Sequence, residues 1–276
     1  MFTEEPTQRT LDPDGDTPRN RILAALPPDE WERVRASLER VPLPFRTVLF
    51  EPNQAIAYVY FPEDAVVSIL GIMEDGSAVE TGTVGNEGMV GVPVFLGAMQ
   101  MAGQAFAQVS GTAWRMPAGA LREETRRGST LARLLGRYTQ ALFTLVAQSS
   151  ACNRKHGTEQ RCARWLLMTH DRVGGDTFEL TQLFLSQMLG VRRATVNETA
   201  TALQARGLIR YVRGRVTIMD RAGLEAAACP CYDVIRAEFA RMLEDAVPPS
   251  LLDDVRVSEA GMSTAGDGAP LDGGAD

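Results

Sequence analysis

The chain has a single lysine, Lys155, and only two histidines, His156 and His170, among 276 residues. Nearly all its positive charge is therefore arginine, a bias that genomic base composition alone can produce. Two histidines without an acidic or thiol partner at ligand spacing make a poor metal site. They also leave little from which to assemble a nucleophile, a base and an orienting group. No catalytic residues and no enzyme activity are expected. Cysteine is scarce as well: Cys152, Cys162, Cys229 and Cys231. Cys152 and Cys162 stand isolated, and Cys229-Pro230-Cys231 is a CxC rather than the paired CxxC of a zinc module. No N-terminal cysteine cluster is present for an iron–sulfur centre, and there is no haem signature. The expectation is buried or incidental thiols and no metal. No apolar run approaches the roughly 20 residues needed to span a bilayer, and the N-terminus lacks the charged and apolar segments of a signal peptide. A cytoplasmic protein with no membrane partner is expected. The length suffices for two small domains, each with its own core.

What is present is concentrated between Leu180 and Ile209, LTQLFLSQMLGVRRATVNETATALQARGLI. Leu183, Leu185, Met188 and Leu189 predict one short apolar helix. Val191, Val196, Ala200 and Leu203 carry the pattern through a turn at Gly190 into a second, which reads as a helix-turn-helix. The second helix opens on Arg192, Arg193, Ala194 and Thr195. That places two guanidiniums and a hydroxyl where a recognition helix meets base edges and phosphates. Gly207 is positioned as a C-cap, and Leu208-Ile209 begin a strand. IRYVRGRVTIMD then alternates around Arg213-Gly214, a hairpin with arginines at its tip and hence a wing. Residues 154–221 hold twelve basic and six acidic residues, a local charge of +6 in a chain of net charge -7. A basic island in an acidic chain fits a phosphate-binding face. Sequence-specific binding of double-stranded DNA is the function these residues predict.

Composition divides the rest. Residues 1–19 are rich in Pro, Asp, Thr and Gly and are expected to be disordered, as is an acidic tail over 247–276. Residues from Asn20 to Arg40 read as helical, broken at Pro27-Pro28. From Val41 to Pro117 the strand-like runs RTVLFE, AIAYVYF, AVVSILGIM, SAVETGTV and QAFAQVSGTAWRM, with a turn at Glu74-Asp75-Gly76, predict a small antiparallel sandwich or barrel. Between them GTVGNEGMVGVPVFLGA is glycine-dense. Its Gly85, Asn86, Glu87 and Gly88 either cradle an anion on exposed backbone N–H groups or form a tight corner. A long helix is predicted from Leu121 to about Ser150. Leu131, Leu135, Tyr138, Leu142 and Leu145 are spaced alternately four and three, a seam for a second copy of the chain. The domains expected are a barrel over 20–120, a dimerisation helix over 121–152, a winged helix-turn-helix over 153–225 and a C-terminal helix over 226–246.

A barrel, a long helix and a winged helix-turn-helix in this order resemble the catabolite activator (CRP/FNR) family of bacterial transcription regulators. The resemblance covers roughly residues 20–240. It is most specific in LTQLFLSQMLGVRRATV, where Gln187, Gly190, Arg193, Thr195 and Val196 fall on the family's pattern. It implies an α+β fold: an antiparallel β-barrel of the cyclic-nucleotide-binding-like jelly-roll kind, a long dimerisation helix and a C-terminal winged domain. It also implies a homodimer that lays its second helix in two major grooves about 10 bp apart, and a shift in the angle between barrel and DNA domain when an effector binds. Double-stranded DNA, a second copy of the chain and RNA polymerase are the partners to consider.

Two departures from the family's cyclic-AMP-responsive members matter. Their base-reading Arg-Glu pair with a second Arg one turn later becomes Arg193-Ala194 with Glu198, so the target sequence should differ. Their Arg-Ser-Ala phosphate segment becomes Gly103-Gln104-Ala105, so binding of cyclic nucleotides is expected to be weak or absent. The DNA-contacting residues expected are Arg192, Arg193, Thr195, Asn197 and Glu198, with Arg213 and Arg215 on the wing. The alternative reading is a redox sensor acting through thiol chemistry at Cys229 and Cys231.

Overall fold

The computed structural model describes residues 17–243, apart from 75 and 77. The expectations for the acidic tail, for most of residues 1–19 and for the last residues of the C-terminal helix lie outside them, as does Asp75 of the predicted turn. Pro18 is buried and the Arg19 amide donates to Glu63 Oε1 at 2.9 Å, so ordered chain begins before Asn20.

Asn20 is itself the first anchor. Its side-chain oxygen caps α1 (Arg21–Ala24) by accepting from the amides of Ile22 and Leu23, and its Nδ2 donates to the carbonyls of Pro62 and Gly88. Proline opens α2 (Pro28–Arg35), where its missing N–H costs nothing. The helix stops at Arg35 because Glu39–Leu43 forms strand β1, which pairs with β7 (Gly111–Pro117). The helical reading up to Arg40 is corrected here. Local pattern cannot show that these residues complete a sheet with a strand some seventy residues away.

The strands β2 (Val48–Phe50), β3 (Tyr58–Pro62), β4 (Val66–Ile72), β5 (Ala78–Val84) and β6 (Gln104–Val109) form, with β1 and β7, two antiparallel sheets. Their orders are β1-β7-β3 and β2-β6-β4-β5. The sheets face each other as a jelly-roll-like sandwich rather than closing into a barrel. Val59, Phe61, Val67, Val84, Ala105 and Trp114 fill the space between. The chain passes from one sheet to the other at Ser110-Gly111. A Cβ at Gly111 would lie 2.4 Å from the Ala65 amide nitrogen, so this corner admits only glycine. The glycine-dense loop leads into a single turn, α3 (Val92–Phe95).

The predicted long helix is two helices, α4 (Ala118–Arg126) and α5 (Thr130–Lys155). Gly128 adopts a left-handed φ of 66°, and Ser129 caps α5 by accepting from the Ala132 amide. The Glu30 carboxylate accepts from the amides of Thr130 and Leu131 at 3.0 and 2.7 Å, satisfying two more of the free N–H groups that begin a helix.

The proposed partner seam is turned inward. Leu131, Leu135, Tyr138 and Leu145 are fully buried within this single chain, and Leu142 is half-buried. Leu142 and Leu145 pack towards Gly82 of β5, and Tyr138 towards Phe239 with ring centroids 6.3 Å apart. A regular 4-3 repeat marks a face that must be buried without saying against what. Here the sandwich and the last helix occupy it.

Beyond α5 come α6 (Thr158–His170), β8 (Thr177–Glu179), α7 (Gln182–Leu189), α8 (Arg193–Ala205), β9 (Ile209–Val212), β10 (Arg215–Ile218), α9 (Arg221–Ala227) and α10 (Cys231–Arg241). Phe184 of α7 packs edge-on against Phe106 of the sandwich at 5.7 Å. Trp165 Nε1 of α6 donates to Glu80 Oε1 of β5 at 2.8 Å. Sandwich and helix-turn-helix domain therefore share one main core from Ile22 to Met242, not the two separate cores expected from length.

Arg221 ties α9 to the end of α6 and to α10. It donates to His170 Nδ1, Asp171 Oδ1 and Tyr232 Oη at 2.7, 2.6 and 2.7 Å, while His170 Nε2 meets Asp176 at 2.8 Å. His170 thus does have an acidic partner, brought to it by the turn that follows α6.

Gly88 sets a steric test of this packing. A Cβ there would lie 2.3 Å from the Tyr138 ring. Gly88→Ala is expected to lower the unfolding free energy by about 1–3 kcal/mol in urea titrations. Gly119→Ala, with open space around it, should change it by less than about 1 kcal/mol.

Candidate nucleic-acid interface

Thr181 caps α7 by accepting from the Phe184 amide, and Gly190 ends it in the left-handed region at φ 63°, as expected of a residue without Cβ. After this turn Val196, Thr199, Ala200 and Leu203 bury one side of α8. Arg192, Arg193, Ala194, Asn197 and Glu198 are exposed on the other, with Thr195 half-buried. Gly207, at φ 73°, terminates α8 as its position suggested.

The wing is a three-stranded sheet of order β8-β10-β9. Its tip is the two-residue turn Arg213-Gly214, with φ of 50° and 76°. Positive φ at both positions matches the right-handed twist of the flanking strands. Sequence pattern missed the third strand, β8, which has only three residues and one apolar side chain. In the β8–β10 register Arg215 stands opposite Glu179.

A polar groove runs between α8 and the wing, lined by Thr181, Gln182, Arg193, Asn197, Tyr211 and Arg213. Gln182 Nε2 donates to Asn197 Oδ1 at 3.1 Å, which leaves the Asn197 amide N–H groups facing outward as donors. The Tyr211 hydroxyl donates to the Leu180 carbonyl at 2.7 Å and joins the wing to the start of α7.

The arginines of the basic island divide in two. Arg172, Arg206 and Arg221 are held by Glu87, Glu159 and Asp171. Arg161 donates to the Leu189 carbonyl, and Arg164 lies against Met168 Sδ at 3.3 Å. Among the described residues Arg154, Arg192, Arg193, Arg210, Arg213 and Arg215 make no side-chain hydrogen bond or ion pair. All are exposed; Arg193 and Arg213 line the groove, and Arg192 and Arg193 stand at the positive end of the α8 dipole, where anions are favoured.

The loop Gly85–Gly88 holds groups from its own chain. Glu87 is buried and accepts from Arg172 Nε at 2.9 Å. The Arg172 side chain crosses Gly85 so closely that a Cβ there would lie 2.5 Å from Cγ. Glycine at 85 and 88 is thus required by Arg172 and Tyr138, which supports the tight-corner reading. Position 103 carries a second constraint. A Cβ there would fall 2.3 Å from the Leu70 carbonyl oxygen, so this site has no room for an arginine. Gln104 donates instead to Glu51 at 2.9 Å.

Cys152, His156, Cys229 and Cys231 are drawn together at the end of α5. This corrects the reading of Cys152 as isolated and of His156 as lacking a thiol partner. The signal was available: Cys152 and His156 are four residues apart, one turn of a helix. Their partners, more than seventy residues on, were not. Cys162 lies apart, buried in the main core.

Fold and groove together define a winged helix-turn-helix domain joined to a β-sandwich. Residues 160–227 match the Crp-like helix-turn-helix domain. A protein assigned to the CRP/FNR family of transcriptional regulators, from Eubacterium rectale, superposes with a TM-score of 0.58 at 16% identity over 75% of this chain and 97% of its own. FixK2 from Bradyrhizobium japonicum gives 0.57 at 13% identity over 70% and 98%. A CRP/FNR-family regulator from Thermus thermophilus gives 0.54 at 18% over 69% and 98%. No curated protein sequence matches the chain. Residues 160–227 are therefore a Crp-like helix-turn-helix domain, and the chain shares its fold with CRP/FNR-family regulators. Among the described residues no helix is long and apolar enough to cross a membrane.

Glu80 joins sandwich to DNA domain through Trp165, and burial pushes its carboxyl up to about 7, against the opposing effect of its bonds from Ser68 and Trp165. The unfolded chain releases this proton near 4.5, so between those values the folded state binds more protons and loses stability as pH rises. Urea unfolding at about pH 5 and pH 8 should show a fall in wild type that is smaller in Glu80→Gln. Equal slopes would contradict a raised carboxyl.

Proposed function

We propose that the chain is a cytoplasmic, non-enzymatic, homodimeric regulator that reads a two-fold symmetric DNA site with α8 and alters its binding in response to an effector. The observation that carries this is the set of unpaired, exposed arginines on α8 and the wing, with Arg193 and Arg213 lining the groove between them. Arg193 is suited to a bidentate contact with guanine O6 and N7. Thr195, Asn197 and Glu198 lie on the same helix, and Arg192, Arg213 and Arg215 serve phosphates. RNA polymerase is the further partner of such a regulator.

Selection of bound sites from a random duplex pool tests the reading directly and should return a symmetric site. On that site Arg193→Ala is expected to cost about 1–3 kcal/mol and relax one base position. Arg213→Ala should weaken specific and random DNA alike and flatten the salt dependence. Equal losses on both DNAs for Arg193→Ala would remove it from base reading.

The partner surface is the outer side of α5. Gly136, Gln140, Phe143, Ala147 and Ser150 are exposed there at alternating spacings of four and three, a second seam on the side opposite the buried one. Phe143 is 68% and Val146 39% exposed. Sedimentation velocity should show a dimer that Phe143→Asp weakens at least about tenfold. A dimer indifferent to this change would move the interface elsewhere.

Effector response has a physical route in the Glu87–Arg172 pair, which joins the sandwich loop to the end of α6. A ligand that competes for either group would release the DNA domain from the sandwich. Without an arginine at 103, cyclic nucleotides lack their phosphate partner.

A further inference from the structure

The cysteine–histidine cluster lies outside the DNA-binding groove and outside the core. Cys152 and His156 come from the last turn and the cap of α5. Cys229 and Cys231 come from the junction of α9 and α10. Cys152 Sγ lies 3.4 Å from Cys229 Sγ, and Cys231 Sγ lies 3.4 Å from His156 Nδ1. All four donor atoms fall within 4.8 Å of one another. The three thiols are buried in an island of their own, separate from the main core, while His156 is half-buried at its edge. Apolar packing accounts for a buried thiol, but not for three thiols and an imidazole nitrogen converging on one point.

The donor set selects the ion. Thiolate and imidazole suit zinc and not the oxygen-seeking magnesium or calcium. Tetrahedral zinc, with bonds of about 2.3 Å to sulfur and 2.0–2.1 Å to nitrogen, places its donors roughly 3.5–3.8 Å apart, close to the spacings here. A binuclear iron–sulfur cluster would hold its two ligand pairs farther apart on separate irons. The surroundings suit a charged thiolate centre: Gln148 Nε2 lies 3.1 Å from Cys231 Sγ as a donor, and the Arg161 guanidinium lies within electrostatic reach of Cys152 and Cys229. Such outer contacts orient metal ligands and balance their charge.

We propose that Cys152, His156, Cys229 and Cys231 form a tetrahedral zinc site. Zinc replaces three thiol protons, which pass to solvent, and His156 binds through neutral Nδ1. No electron is transferred, and the centre carries one net negative charge. Its ligand pairs bracket the Crp-like domain, matched over residues 160–227. Zinc therefore fastens the end of α5 and the start of α10 across the domain, beside Gly157 at the N-cap of α6. Closing so long a loop stabilises the folded domain by restricting the unfolded chain.

The test uses the full chain, purified under reducing conditions with zinc present and then freed of loosely held metal. Elemental analysis should find about one zinc per chain in wild type, and less than about one tenth of that in the Cys229→Ser, Cys231→Ser double variant. Cobalt loaded in place of zinc should give the strong thiolate charge-transfer and tetrahedral d–d bands of a sulfur-rich site. His156→Cys should keep the metal with those bands displaced by the added thiolate, a readout that survives if the serine variant fails to fold. Wild type without stoichiometric zinc, a weak octahedral cobalt spectrum, full zinc in the serine variant, or a Cys152–Cys229 disulfide in freshly isolated protein would each overturn the proposal.

Discussion

The guanidinium of Arg172 is buried against the carboxylate of Glu87, 2.8 Å away, and much of the molecule is arranged around that pair. Removing two opposite charges from water is tolerable only when each satisfies the other; stripping one partner from such a pair typically costs about 3–5 kcal/mol. Glu87 belongs to a loop of the sandwich and Arg172 follows the first helix of the DNA-binding domain, so the pair sets where one rests on the other. Gly85 leaves room for the Arg172 stem, Gly88 leaves room for the Tyr138 ring, and Phe239 of α10 lies over the guanidinium at 6.0 Å. The loop is thus filled by side chains of the chain itself.

That docking gives the arginines two kinds of work. Those facing inward or towards acids join α6 to the sandwich, to α8 and to α9. Those left exposed on α8 and the wing have no protein partner and are open to phosphate and base. The acidic net charge of the whole chain does not prevent this, because screening confines surface charges to a neighbourhood of about 8–10 Å. A local excess of arginine is what a duplex would meet.

The helix-turn-helix and wing were legible residue by residue because their signals are local. Gly190, Gly207 and Arg213-Gly214 all occupy the left-handed region at the positions their neighbours demanded. The seam on α5 was legible only as a pattern. Leu131, Leu135, Tyr138 and Leu145 had to be buried, but the same 4-3 spacing suits a sandwich, a neighbouring helix or a second subunit. Strand β1 was hidden for a related reason, since ERVPL gains strand geometry only from its pairing with β7. The metal-type cluster was the largest omission. Half of its ligands stand one helical turn apart, the other half flank a proline, and no local rule connects the two.

Sequence alone determined which short segments become helices, turns and a hairpin, because backbone sterics and 3.6-residue periodicity act within a few residues. It also fixed the local excess of positive charge. Tertiary structure alone decided which arginines stay free, which face of α5 is left open, and that three cysteines and a histidine meet. Those outcomes depend on distances between segments many residues apart, and such distances are set by tertiary packing.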